Sequence, residues 1–296
     1  MQKEVKMESM SFRSVGIFGL ILVLFVLISP MSCPAQENLN PNIIKFGIFP
    51  YKTPKTIIEM YGPIATHLEK KLGKQIKISS ALDANSFLEK AREGEYDLLL
   101  LPLLQYYKLR PSGYKVIAQG TPPFYGGAIV RMDSEIKSVE QLKGKKVAAI
   151  GDFSYAGYYF LLPQLEARGI DPQKEVEFQF LGKVDTVIYG VINKKYDAGL
   201  LRLDALDLHD FIRIREQVRI ITISPEIPQF PFVVKNSMDK STITAIQETL
   251  SALAPDKPEA LEILKSMQVK KIVVATDADY DQFLEQIKDT DYFGKP

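Results

Sequence analysis

Two periodicities alternate along this chain. Residues 43–49 form a short apolar run closed by Pro50, which predicts a strand. Ile57, Ile58, Met60, Tyr61, Ile64, Ala65, Leu68 and Leu72 then recur at helical spacing with Lys and Glu between them, and Gly73 supplies a C-cap. Residues 75–79 predict a second strand and residues 87–93 a helix stopped by Gly94. Residues 97–101 are apolar after the first, as in a strand buried on both faces of a parallel sheet. Further on come a strand at 145–150, a long helix at 155–168 ended by Gly169, a strand at 176–181, a helix at 184–193 and a strand at 197–201. Such alternation predicts an α/β fold with a parallel core.

The two halves of this pattern resemble each other. Glu95-Tyr96-Asp97-Leu98-Leu99 and Lys195-Tyr196-Asp197-Ala198-Gly199 each close a strand–helix–strand unit at the same relative place. Two α/β lobes are therefore expected. The extended segments 124–132 and 225–234, rich in Pro, Gly or aromatics, read as crossings between them. The tail from Ser237 reads as helical and returns to lobe one. The expected boundaries are 36–126 for the first part of lobe one, 127–228 for lobe two and 229–296 for the return. Ligands of open α/β sheets bind beyond the carboxyl ends of the strands, here in a cleft that hinge motion closes.

Residues 1–35 stand apart from this pattern. Lys3, Lys6 and Arg13 precede an unbroken apolar run over 15–28, followed by Pro30, Met31, Ser32, Cys33, Pro34 and Ala35. That is the layout of a secretory signal, and the run is short for a spanning helix, which needs roughly 20 residues. Two processing routes are open. Cys33 stands where a lipoprotein carries its acyl chains, although Pro30 occupies a place where Leu, Val or Ile is expected; ordinary cleavage after Ala35 is the rival. An uncleaved anchor is the third reading.

Composition narrows the chemistry. The 296 residues hold 37 basic and 36 acidic side chains, one cysteine, two histidines and no tryptophan. Export would remove three basic and two acidic residues and leave the remainder balanced, so there is no basic field for nucleic acid. A single cysteine excludes an intramolecular disulfide and a cysteine-cluster metal site. His67 and His209 read as surface residues. Asp277, Asp279 and Asp281 start like a calcium loop, but Gln282 and Lys288 stand where glycine and glutamate are needed; the aspartates read instead as the acidic first turn of a helix.

Several ordered segments carry a resemblance. They include Gly47-Ile48-Phe49-Pro50-Tyr51, Gly94-Glu95-Tyr96-Asp97-Leu98, Leu142-Lys143-Gly144-Lys145-Lys146-Val147-Ala148, Gly169-Ile170-Asp171-Pro172, Ser224-Pro225-Glu226-Ile227-Pro228 and Ala275-Thr276-Asp277-Ala278-Asp279-Tyr280-Asp281. In this order, across most of residues 43–283, the chain resembles the phosphate/phosphite/phosphonate-type substrate-binding proteins of ABC transporters. The resemblance implies a two-lobed periplasmic binding protein, type II-like. It implies a small-molecule ligand, no cofactor, a permease partner in the inner membrane, and a monomer in the periplasm or tethered to a membrane through Cys33.

The resemblance also implies where an anion sits. Family members hold a phosphoryl-type group at the N-terminus of the helix opening lobe two, with a hydroxyl-rich turn ending in Ser-Gly. The matching stretch is Asp152-Phe153-Ser154-Tyr155-Ala156-Gly157, where only Ser154 and Gly157 keep the pattern. Val184 stands where the family often has a histidine, with Lys183 before it as a substitute cation. Gln105, after Leu101-Pro102-Leu103-Leu104, replaces part of a Gly-Pro-x-x-Tyr turn. These departures predict an altered anion site and a small organic or oxyanion ligand among Tyr51, Phe124, Tyr125, Phe153 and Tyr155, with Ala156 in the same wall. Arg202 and Asp204 follow the strand at 197–201, read as the last of lobe two, where the family places acidic contacts to ligand amines. A sensory module acting in trans on a membrane signalling protein is the alternative function. No Ser-His-Asp set, Walker loop or dinucleotide fingerprint is present, so an enzyme is not expected.

Overall fold

The computed structural model describes residues 42–208 and 211–287. The signal segment, Cys33 and His209 lie outside these residues. In chain order the elements begin with β1 (Ile43–Ile48), α1 (Pro54–Leu72), β2 (Gln75–Ser79), α2 (Ala84–Arg92), β3 (Leu98–Leu100), α3 (Leu103–Leu109) and β4 (Tyr114–Thr121). Next come β5 (Gly126–Arg131), β6 (Lys146–Ala149), α4 (Leu162–Glu166), α5 (Pro172–Glu175), β7 (Glu177–Phe180), α6 (Val184–Ile192), β8 (Ala198–Arg202) and β9 (Val218–Ile223). The chain continues with β10 (Pro231–Lys235), α7 (Lys240–Ser251), α8 (Pro258–Ser266), β11 (Lys271–Val274) and α9 (Asp277–Ile287).

The strands form two sheets. One runs β11-β4-β10-β3-β1-β2 and the other β7-β6-β8-β5-β9. Each has a parallel trio, β2-β1-β3 and β7-β6-β8, extended by antiparallel strands. The Tyr-Asp pair noted in both halves does the same work in both. Asp97 Oδ2 accepts from the Lys45 amide at 2.8 Å, and Asp197 Oδ2 accepts from the Lys146 amide at 2.9 Å. In each sheet a carboxylate thereby satisfies an N–H near the start of the central parallel strand, and the aspartate's own N–H donates back to the same residue's carbonyl.

The chain passes from the first sheet to the second through residues 122–125 and returns through 224–230. The passages are shorter than the expected crossings 124–132 and 225–234, because most of the first is β5 and the end of the second is β10. The two passages are bonded to each other: Phe124 N donates to Ile227 O at 2.9 Å and Ile227 N to Phe124 O at 2.8 Å. The tail also departs from expectation, since β11 interrupts its helices and pairs antiparallel with β4.

The long helix expected over 155–168 does not form. Residues 150–158 make a reverse turn, Tyr159–Leu161 a 3₁₀ turn, and only Leu162–Glu166 is α-helical, with Pro163 in its first turn. The segment is buried nearly all round and has no amphipathic stripe to hold a regular helix against one surface. Helix α1 shows the contrast. It carries Pro63 internally, yet Ile57, Met60, Ile64 and Leu68 lay one continuous face on the sheet. Helix α9 begins at Asp277, with Asp277 and Asp279 in its first turn. His67 is more enclosed than a surface reading implies: it projects from α1 toward Glu259 of α8, 3.9 Å from that carboxylate, and burial lowers its pKa. Among the described residues no helix is long and apolar enough to cross a membrane.

Candidate functional site

The carboxyl ends of β1, β6 and β8 meet the two passages between the sheets. Strand β1 delivers the loop that carries Tyr51 and Lys52. Strand β8 ends in Arg202, and a 3₁₀ turn, Leu203–Asp207, follows it with Asp204. Strand β6 delivers the reverse turn at 150–158. The lobes are closed on one another. The rings of Phe49 and Phe153 lie 5.4 Å apart across the cleft, Tyr155 meets Phe283 of α9 edge-on at 5.0 Å, and one buried apolar cluster runs through both lobes.

Two of the spaces between the lobes adjoin the passages and measure about 50 Å³ each; a wider one of about 260 Å³ opens at the edge between α2, Lys108 and Asp152. The first two share Tyr51, Val184, Arg202 and Phe230 as a common wall. One is apolar, with Leu103, Leu104, Phe124, Phe153, Tyr155 and Ile227 among its lining. The other is more polar and reaches Lys52, Tyr61, Asp204, Gln229 and Gln268. Volumes of this size hold only a few water-sized groups, so a larger guest requires the lobes to part or the rings to turn.

Arg202 is the centre of the wall. Its guanidinium stacks over Phe124, with Cζ 3.7 Å from the ring centroid, and lies 5.7 Å from that of Phe230. Its Nε donates to Asp204 Oδ1 at 2.9 Å and Nη2 donates to Oδ2, giving a bidentate pair. Nη2 also reaches Gln229 Oε1 at 3.3 Å, and Gln229 Nε2 donates to Pro122 O at 3.0 Å. Tyr51 and Tyr61 share a 2.6 Å hydroxyl–hydroxyl bond, and burial raises the pKa of both phenols. Burial lowers the pKa of Lys52, against which the Asp185 carboxylate works in the opposite sense.

The lobe-two turn is closed on itself. Gly157 N donates to Ser154 Oγ at 2.9 Å. Tyr158 N and Phe160 N donate to Tyr155 O, and Tyr159 N to Ser154 O. Four consecutive N–H groups are thus engaged within the turn. No side chain fits at Gly157, where a Cβ would stand 2.4 Å from Ile150 Cγ1.

The structure brings Tyr51, Phe124, Ser154, Tyr155, Ala156 and Arg202 together around the apolar space, and Tyr51, Arg202 and Asp204 around the polar one. Gln105 is buried beside the cleft, and its Nε2 donates to Phe153 O at 3.4 Å across the lobes. Gly157 supports the turn from behind. Two residues lie elsewhere: Tyr125 is exposed and bonds Glu226 at 2.5 Å, and Lys183 is an exposed N-terminal flank of α6. The extended backbone explains Tyr125, since successive side chains point to opposite faces and Phe124 takes the inward place. Lys52 and Phe230 also line these spaces and are not among the residues the sequence singles out. Their signal was adjacency, one next to Tyr51 and the other inside the second passage.

Over residues 46–280 the chain matches the family described as ABC transporter, phosphonate, periplasmic substrate-binding protein. It belongs to that family, whose members are the extracytoplasmic solute receptors of ABC transporters. Similar solved structures include a binding protein component of an ABC phosphonate transporter from Pseudomonas aeruginosa, at 18% identity over 83% of this chain and 85% of that one, with a TM-score of 0.74. PhnD1 from Prochlorococcus marinus, in complex with methylphosphonate, is 18% identical over 86% of this chain and 100% of that one, with a TM-score of 0.77. A Xanthomonas citri protein bound to ATP is 18% identical over 84% and 98%, with a TM-score of 0.68. At that identity these likenesses are likenesses of fold.

Proposed function

We propose that this receptor captures a small organic solute with an apolar body and delivers it to an ABC permease of the inner membrane. The observation that carries the reading is the turn at 151–160. Relatives of this type are expected to hold a phosphoryl anion there, but here four of its N–H groups are engaged internally and its cleft face is Phe153, Tyr155 and Ala156. A dianion in this place would lack donors, at about 1–3 kcal/mol for each hydrogen bond not made. An apolar group there meets rings and aliphatic side chains instead.

In this reading residues 36–126 and 229–296 form one lobe and 127–228 the other, hinged at the two bonded passages. Solute binding stabilises the closed form, which docks on the permease as a monomer. Cys33, if acylated, tethers the receptor to the membrane; its place is outside the described residues. A thermal-shift screen of the exported protein with phosphonates, oxyanions, amines and aromatic acids tests the reading. A solute at a hundredfold excess over its Kd adds about 2.7 kcal/mol. Stabilisation by compounds with apolar bodies supports it, and stabilisation by inorganic phosphite alone contradicts it.

A further inference from the structure

Lys52 belongs to no ion pair within 4 Å among the described residues, whereas Arg202, the other cation lining the same polar space, is matched. Arg202 is neutralised by Asp204 through two bonds. The ammonium of Lys52 is half-buried in the loop after β1 and lies 5.7 Å from the centroid of the Tyr51 ring. It lines the polar space together with the Arg202–Asp204 pair, Tyr61, Gln229 and Gln268. The charges that act on it come from lobe two: Asp185 at the start of α6, and Arg202 and Asp204 after β8. Lobe one thus presents an unneutralised cation to the polar space, whose lining does not include the lobe-two turn.

A second observation falls on the same space. Gln268 follows the C-cap of α8 with φ at 61°, a left-handed position that glycine usually fills. A long amide is kept at a place where the backbone favours no side chain at all, and it lines the polar space. Local strain of this kind clusters at binding sites.

We infer that Lys52 holds the acidic head of the solute in the polar space, with its apolar body directed to Phe153 and Tyr155, so that the solute class is an organic monoanion such as an arylalkyl carboxylate. The inference rests on the reading of the cleft given above and adds to it an orientation: the acid lies away from the Ser154 turn. Tyr61, Gln229 and Gln268 offer further polar atoms around the head. The Arg202–Asp204 pair stays closed, because Asp204 already occupies the guanidinium fork.

Calorimetric titration of the exported protein with 3-phenylpropionate, neutral 3-phenylpropanamide and methylphosphonate tests this, using wild type, Lys52→Gln, Lys52→Arg and Ser154→Ala. The expected result is that 3-phenylpropionate binds, that Lys52→Gln weakens it about 10- to 100-fold, that Lys52→Arg restores most of the loss, and that the amide is weak and insensitive to residue 52. Equal binding of the acid by wild type and Lys52→Gln overturns the inference, as does failure of all three probes to bind. Binding of the amide as tight as that of the acid removes the role of Lys52 and leaves the apolar cleft standing. Tight methylphosphonate binding that responds to Ser154→Ala but not to Lys52→Gln overturns the reading of the cleft itself.

Discussion

The guanidinium of Arg202 lies flat over the Phe124 ring, 3.7 Å from its centroid. The first residue ends the last parallel strand of one lobe, and the second belongs to the passage between lobes. Phe124 is bonded to Ile227 in the other passage, and Arg202 reaches Gln229 there as well. One side chain therefore ties lobe two to both strands of the hinge. Arginine is suited to this place because its plane can stack on a ring while its edge binds a carboxylate.

Arg202→Lys keeps the charge and loses both the stack and the bidentate fork. We expect a loss of about 1–2 kcal/mol in stability, read by urea denaturation at neutral pH. An unchanged midpoint would mean that the stack carries little.

Gly157→Ala places a Cβ 2.4 Å from Ile150 Cγ1 and 2.9 Å from Ser154 Oγ. The expected cost is about 1–3 kcal/mol from overpacking, together with faster proteolysis at the lobe-two turn. Wild-type resistance to protease in the variant would show that the turn can relax.

Asp277 Oδ1 accepts from the Tyr106 hydroxyl at 2.5 Å and from the Val116 amide at 2.8 Å, which docks α9 on the first sheet. Asp277→Ala leaves both donors without that acceptor and should destabilise the protein by about 1–3 kcal/mol. Hydrogen exchange at Val116 should rise with it; protection as in wild type would contradict the docking role.

Tyr96 is buried, and its hydroxyl has no hydrogen-bond partner among the described residues. Burial pushes its pKa up to about 12 from an ordinary 10.0. The stability attached to the neutral phenol is complete below pH 10 and is lost as pH rises toward 12, because the unfolded chain ionises first. Tyr96→Phe should be neutral or stabilising at pH 7, and its advantage over wild type should widen between pH 10 and 12. A constant gap across that window would contradict the account.

The α/β alternation and the two lobes were readable because the parallel strands are short apolar runs between amphipathic helices, and because the Tyr-Asp pair repeats. That Tyr51, Arg202, Asp204 and Phe124 line the cleft was readable because they stand at or just after strand ends or in a passage. What escaped depended on three-dimensional neighbours. Segment 155–168 has helix-compatible residues, but burial on all sides lets Ser154 and Gly157 close a turn instead. Lys183 and Lys52 are both loop lysines by sequence, and only the position of lobe two over β1 distinguishes the enclosed one from the exposed one. Strand β11 is four residues long and gains its identity from pairing with β4, far away in the chain.

The central claim is that the lobe-two turn receives an apolar body in place of a phosphoryl head. Calorimetric titration of the exported protein with methylphosphonate and phenylphosphonate, which share a head and differ in body, tests it most directly. The account predicts that phenylphosphonate binds about tenfold tighter or better, from burial of the ring in the cleft. Micromolar binding of methylphosphonate with no preference for phenylphosphonate would contradict it.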